Sequence, residues 1–103
     1  MKGAYPVIFT ETKDELNTFL IYVPDLDDMT EGYGLSNAIE MAKDIINITI
    51  IEAEDSGKQI PKPSSILNID PKAGKFSESG DSFVSLVDFD SDIYRCLNSI
   101  RTA

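Results

Sequence analysis

The chain has no histidine, no tryptophan and a single cysteine in 103 residues. Without imidazole, Ser-His-Asp and Cys-His nucleophile systems, a histidine general base and a His-ligated zinc site cannot be assembled within it. Cys96 has no partner for an intrachain disulfide, which fits a reducing compartment, and the cytoplasm is the expected location. Beside Arg95 on a short C-terminal helix, it reads as a partly buried structural thiol rather than a nucleophile. Cationic residues are scarce: nine Lys and Arg stand against 18 Asp and Glu, for a net charge of −9. That balance opposes a nucleic-acid backbone, whose binding rests on cationic neutralisation, and favours a basic protein partner through complementary potentials. No apolar run approaches the ~18 residues of a membrane span, and Met1-Lys2-Gly3-Ala4-Tyr5-Pro6 lacks the apolar core of a signal peptide.

What is present is one small domain over residues 1–103, long enough to bury roughly 60–65% of its unfolded-state surface around one core. Tyr5, Val7, Ile8 and Phe9 mark a first strand over 4–10, and Pro6, which has no N–H to give a ladder, places it at a sheet edge. A polar break at 11–15 leads into a second strand over 17–23, completing a hairpin. A short third strand is expected over 29–33. Gly34 to Ser36 then offer small residues from which a helix starts, and that helix is expected over 35–55 with Gly57 as its left-handed stop. Leu35, Ala38, Ile39, Ala42, Ile45, Ile46 and Ala53 share its apolar face, opposite Asn37, Glu40, Asp44, Asn47 and Asp55. Ile51 falls within the polar arc and Ile48 on its border, so either another segment covers that end, which is the expectation, or an apolar spot is exposed for a partner. The β-branched run 45–51 has strand propensity, but it continues the helical period of the residues before it.

Residues 56–65 are held extended before Pro61 and Pro63. Residues 68–82 form the most loop-like stretch, with a composition that favours disorder. A further strand is expected over 83–88, and a short helix over 91–102 carries Ile93, Leu97 and Ile100 at helical spacing. The expected fold class is α+β: a small antiparallel sheet of three to four strands with one main helix packed on it, in β-β-β-α-β order, plus a short C-terminal helix.

Two acidic clusters carry what metal chemistry there is, Asp25/Asp27/Asp28/Glu31 and Asp88/Asp90/Asp92. The second opens like an EF-hand loop, but Ile93 stands where that loop needs Gly and Ser99 where it needs the bidentate Glu. Turn and helix-cap carboxylates are the simpler reading, and no cofactor or metal is expected. Gly32-Tyr33-Gly34 is too short for a dinucleotide fingerprint and lies far from any Lys-Ser/Thr pair of a phosphate loop.

The order Tyr5-Pro6-Val7-Ile8-Phe9, Tyr22-Val23-Pro24-Asp25-Leu26, Thr30-Glu31-Gly32, Ala38-Ile39-Glu40-Met41-Ala42 and Gly57-Lys58-Gln59-Ile60-Pro61-Lys62-Pro63-Ser64 resembles the N-terminal domain of HicB-like antitoxins. Phe83 to Asp88 with Tyr94-Arg95 matches that family's last strand and the segment after it. The resemblance implies a partial RNase H-like or double-stranded-RNA-binding-like sandwich, without a nuclease requirement, that binds a small basic HicA-type toxin and covers the surface with which the toxin cleaves messenger RNA. It also implies a C-terminal DNA-binding element in many members; the expectation here is that residues 1–103 lack it. After Leu26 the chain departs from the family's Pro-Gly-Cys turn, having Asp27-Asp28-Met29.

On this reading the protein is an antitoxin and not an enzyme, with no catalytic residues. Asp25, Leu26, Asp27, Asp28 and Glu31 are expected to face the toxin's basic RNA-binding surface. A homo-oligomer is expected, with the first strand's exposed backbone as a pairing edge; no nucleic acid or membrane is expected to bind this domain alone. The alternatives are a Mg²⁺-dependent RNase H-like nuclease using carboxylates such as Asp25 and Asp88, and a small regulatory domain with an unrelated protein partner.

Overall fold

The computed structural model describes residues 1–102, with side chains as far as Leu97; the side chain of Ile100, expected on the last helix, lies outside the described residues. Runs of apolar, β-branched and aromatic residues build β1 (Lys2–Thr12) and β2 (Thr18–Val23), the more polar β3 (Asp28–Tyr33) follows, and α1 (Leu35–Ser56) comes next. β4 (Gly80–Asp90) runs directly into α2 (Ser91–Thr102). The sheet is antiparallel throughout in the order β3-β2-β1-β4, and the α+β class and element order agree with the expectation. Among the described residues no helix is long and apolar enough to cross a membrane.

The strand period of two gives the sheet two faces. Tyr5, Val7, Phe9, Phe19, Ile21, Val23, Val87 and Phe89 pack with Ala38, Ala42, Ile46 and Ile50 of α1 as one core. On the other face Pro6, Ile8 and Thr10 are equally buried, although no helix lies there. Three short 3₁₀ turns cover it, at Ile66–Asn68, Pro71–Ala73 and Ser77–Ser79, with Gly74 drawn so close that a Cβ there would meet Ile8 Cδ1 at 3.1 Å. The stretch read as the most loop-like is therefore the sheet's second cover. It is tied down by Ser65 and Asp70, which cap two of the turns through Leu67 N and Lys72 N; on the helix face, Tyr5 donates its hydroxyl to Pro61 O at 2.5 Å and holds the segment that follows α1.

β1 is not the edge strand that Pro6 led us to expect. It pairs with β4 along its whole length, Lys2 opposite Asp90 to Thr12 opposite Gly80, but with β2 only from Ile8 to Glu11. Pro6 thus lies beyond the β2 ladder, where a missing N–H leaves no partner unsatisfied, and the steric rule holds locally while the strand is central. The edges are β3 and β4.

α1 ends as expected at Gly57, in the left-handed region at φ 70°. Asn47, assigned to the polar arc, is buried instead, because β4's end and α2 lie over that side; its Nδ2 donates to Lys43 O. α2 covers the end of α1 only in part: Arg95 reaches Ile51 O and the carboxylates of Glu54 and Asp55, while Ile48 stays exposed. Tyr94 and Arg95 face α1, which turns Cys96 outward, so the thiol is exposed rather than partly buried.

Candidate functional site at the acidic turn and third strand

The β2–β3 turn begins where β2 meets Pro24. Leu26 N–H donates to Val23 O at 3.2 Å and Asp27 N–H to Pro24 O at 3.3 Å, and Asp27 takes φ 50°, a left-handed position that Asp tolerates better than most residues. Leu26 folds inward against the core. The turn carboxylates point three ways. Asp25 accepts from Ser64 N–H at 2.9 Å and from the Ser64 hydroxyl, clamping the Pro61–Pro63 segment to the turn. Asp27 is exposed and forms an ion pair with Lys75 at 3.0 Å while accepting from Tyr22 OH at 2.9 Å; Lys75 Nζ also sits 5.4 Å over the Tyr22 ring. The Lys75 hydrogen bond, with that of Tyr22, holds the Asp27 carboxyl below its usual range. Asp28, half-buried, accepts from the Thr49 hydroxyl of α1. Burial raises its pKa, the Thr49 hydrogen bond counters this, and the nearby Glu52 and Asp27 raise it further.

Glu31 is separated from Asp28 by the alternation of the strand. Asp28 pairs with Val23 and shares the α1 side, whereas Glu31 pairs with Leu20 on the opposite side. There it follows Met29 and precedes Tyr33, so three alternate residues of β3 make one outward stripe: Met29 is 47% and Tyr33 61% exposed, and Tyr33 OH donates to Glu31 Oε1 at 3.2 Å. Of the five predicted residues, then, Asp25, Leu26 and Asp28 fasten the turn to the rest of the chain, and Asp27 and Glu31 present carboxylates at the surface. Met29 and Tyr33 were not singled out from sequence; the signal was there in the period-two pattern 29, 31, 33 next to the acidic turn. Tyrosine and methionine are among the residue types enriched where proteins dock, and here they flank one exposed carboxylate.

The second acidic cluster is dispersed. Asp88 pairs with Lys43 at 3.0 Å, Asp92 with the N-terminal ammonium at 2.9 Å, and Asp90 caps α2 through the N–H groups of Asp92 and Ile93. Among the described residues no three Asp, Glu or Cys side chains converge as metal ligands.

The same fold occurs in toxin–antitoxin complexes. A chain of a toxin–antitoxin complex from Streptococcus pneumoniae superposes with a TM-score of 0.78 at 26% identity, covering 91% of this chain and 73% of that one. A chain of the HicA3 and HicB3 toxin–antitoxin complex matches with a TM-score of 0.65 at 21% identity over 85% of this chain and 99% of that one, a likeness of fold alone. No protein-family model and no curated sequence matches the chain. The structural matches agree with the resemblance to HicB-like antitoxins drawn from the sequence.

Proposed function

We propose that this protein is the antitoxin of a type II toxin–antitoxin pair in the cytoplasm, neutralising a small, basic, HicA-like mRNA-cleaving toxin by direct contact and acting as a binding protein rather than an enzyme. The observation that carries this reading is the match over 91% of the chain to a chain of a toxin–antitoxin complex. The surplus of nine negative charges and the surface at the acidic turn support it. A protein that binds messenger RNA must present cations to phosphate, and a carboxylate-bearing surface competes for those cations. In this reading Met29 and Tyr33 supply the desolvated anchors, Glu31 and Asp27 the charge, and Asp25, Leu26 and Asp28 keep the turn in shape.

Charge reversal separates these roles. Glu31→Lys places a cation on an exposed strand position, leaves the fold intact, and is expected to weaken toxin binding about tenfold and to flatten its salt dependence. Calorimetric titration at low and high salt measures both. Unchanged affinity in Glu31→Lys and in Tyr33→Ala together would move the contact to another surface.

A further inference from the structure

The two sheet edges are built differently. β3 has six residues, carries Asp28 and Glu31, and its last N–H, that of Tyr33, is taken by Asn37 Oδ1 at 2.9 Å. These are the devices by which natural proteins blunt an edge. β4 has none of them along its middle. It is 11 residues long, and between Asp81 and Asp88 it reads Ser82-Phe83-Val84-Ser85-Leu86-Val87, with neither a charge nor a proline. Phe83 and Leu86 are 42% and 54% exposed. Among the described residues no backbone-to-backbone bond other than the β1 ladder uses this stretch; its side chains bond only within the sheet, Ser82 Oγ with Thr10 Oγ1 at 2.7 Å and the Ser85 hydroxyl weakly with Leu86 O at 3.4 Å. A long, uncharged, half-apolar edge of this kind is a template for another strand.

We propose that the strand it takes is β4 of a second copy, joining two four-stranded sheets into one antiparallel sheet of eight. This goes beyond the antitoxin reading, since it needs no toxin. The distribution of charge along β4 favours a second copy. An antiparallel pair related by a two-fold axis normal to the sheet keeps each residue on its own face, so residues of like parity must meet. With Ser85 on the axis, Phe83 lies opposite Val87 of the second copy and Val84 opposite its Leu86, giving four apolar pairs across the seam. Asp88 then faces Ser82 and Asp81 faces Phe89, so no carboxylate meets another despite the acidity of both chains. The remaining long-range repulsion between two copies of charge −9 is screened by salt, and dimerisation therefore tightens as ionic strength rises.

Sedimentation equilibrium of the full chain over a range of micromolar concentrations tests this. The expected result is a mass approaching twice the 11.4 kDa of one chain, reached at lower concentration in higher salt, and a return to one chain's mass in Leu86→Glu, which puts a carboxylate opposite the apolar Val84 of the second copy and diagonal to a second carboxylate. A wild-type mass of one chain throughout, or a dimer that Leu86→Glu leaves intact, would overturn it. A second measurement decides the matter if Leu86→Glu fails to fold. In a Cys96→Ser background, Ser85→Cys places two thiols across the axis at the ~4.5–5.5 Å Cα spacing of paired strands, within the range of about 4.4–6.8 Å that a disulfide spans. Mild oxidation should cross-link that variant and not Ser82→Cys, whose opposite number is Asp88; equal cross-linking of both, or of neither, contradicts the pairing.

Discussion

Asp28 sits half-buried between Thr49 and Glu52, and its carboxylate works against the fold at neutral pH. Its folded pKa is raised, chiefly by burial, so the folded chain holds that proton at a pH where the unfolded chain has released it. Stability from this group rises as pH falls through the folded value and is fully gained below the ordinary value of 3.8. Asp28→Asn keeps an acceptor for Thr49 and removes the charge; it should raise the Tm by a few degrees at pH 7 and by nothing at pH 3, where both side chains are neutral. Asp27 behaves oppositely. Its pKa is lowered by Lys75 and Tyr22, so its contribution is present above 3.8 and is lost as pH falls through the folded value; Asp27→Asn should lower the Tm at pH 7 and lower it less at pH 3. Thermal melts of both variants at the two pH values check the signs. The sequence placed these carboxylates in one turn correctly, but adjacent residues with opposite titration could not be read from it, because Lys75 and Thr49 reach them from 48 and 21 residues further along the chain.

Among the elements, the contact of β3 with α1 depends on Gly32. A Cβ at that position would stand 2.6 Å from Ala38 Cα and 2.9 Å from Ala38 N, both backbone atoms that cannot swing aside. Gly32→Ala is accordingly expected to destabilise by about 2–3 kcal/mol, measurable as a lowered urea midpoint. The segment that follows α1 on the helix face is held more lightly. Tyr5→Phe removes the hydrogen bond to Pro61 O at a cost of about 1 kcal/mol, and amide hydrogen exchange should quicken between residues 58 and 64 while the body of α1 keeps its protection. Strand and helix positions were legible because alternation and the 3.6-residue period are local. The end of α1 was legible because Gly57 marks it, and the helical reading of the Ile45–Ile51 run held because it continued an established period. Strand order was not, since Pro6 describes one N–H and not a whole strand. Nor was the burial of Asn47, which depends on α2 folding back from the far end of the chain. The 68–82 stretch was read as loop-like from a composition that does describe it as far as Ser79; what that composition did not show is that capped 3₁₀ turns lay it flat on Pro6, Ile8 and Thr10 and that β4 begins at Gly80.

At the scale of the whole molecule, a net charge of −9 and two unequal sheet edges divide the surface. One side presents Met29, Glu31 and Tyr33 beside Asp27; the other presents the uncharged run of β4. The two proposed contacts have opposite responses to salt, because one joins unlike charges and the other like charges, so ionic strength alone distinguishes them in a mixture. The most direct test of the central claim is calorimetric titration of the chain with a small, basic, HicA-like toxin, the proposed partner, with that protein's RNA cleavage followed in parallel. Saturable binding with loss of cleavage at the same stoichiometry is the predicted result. Absence of binding, or binding that leaves cleavage intact, would contradict the antitoxin assignment.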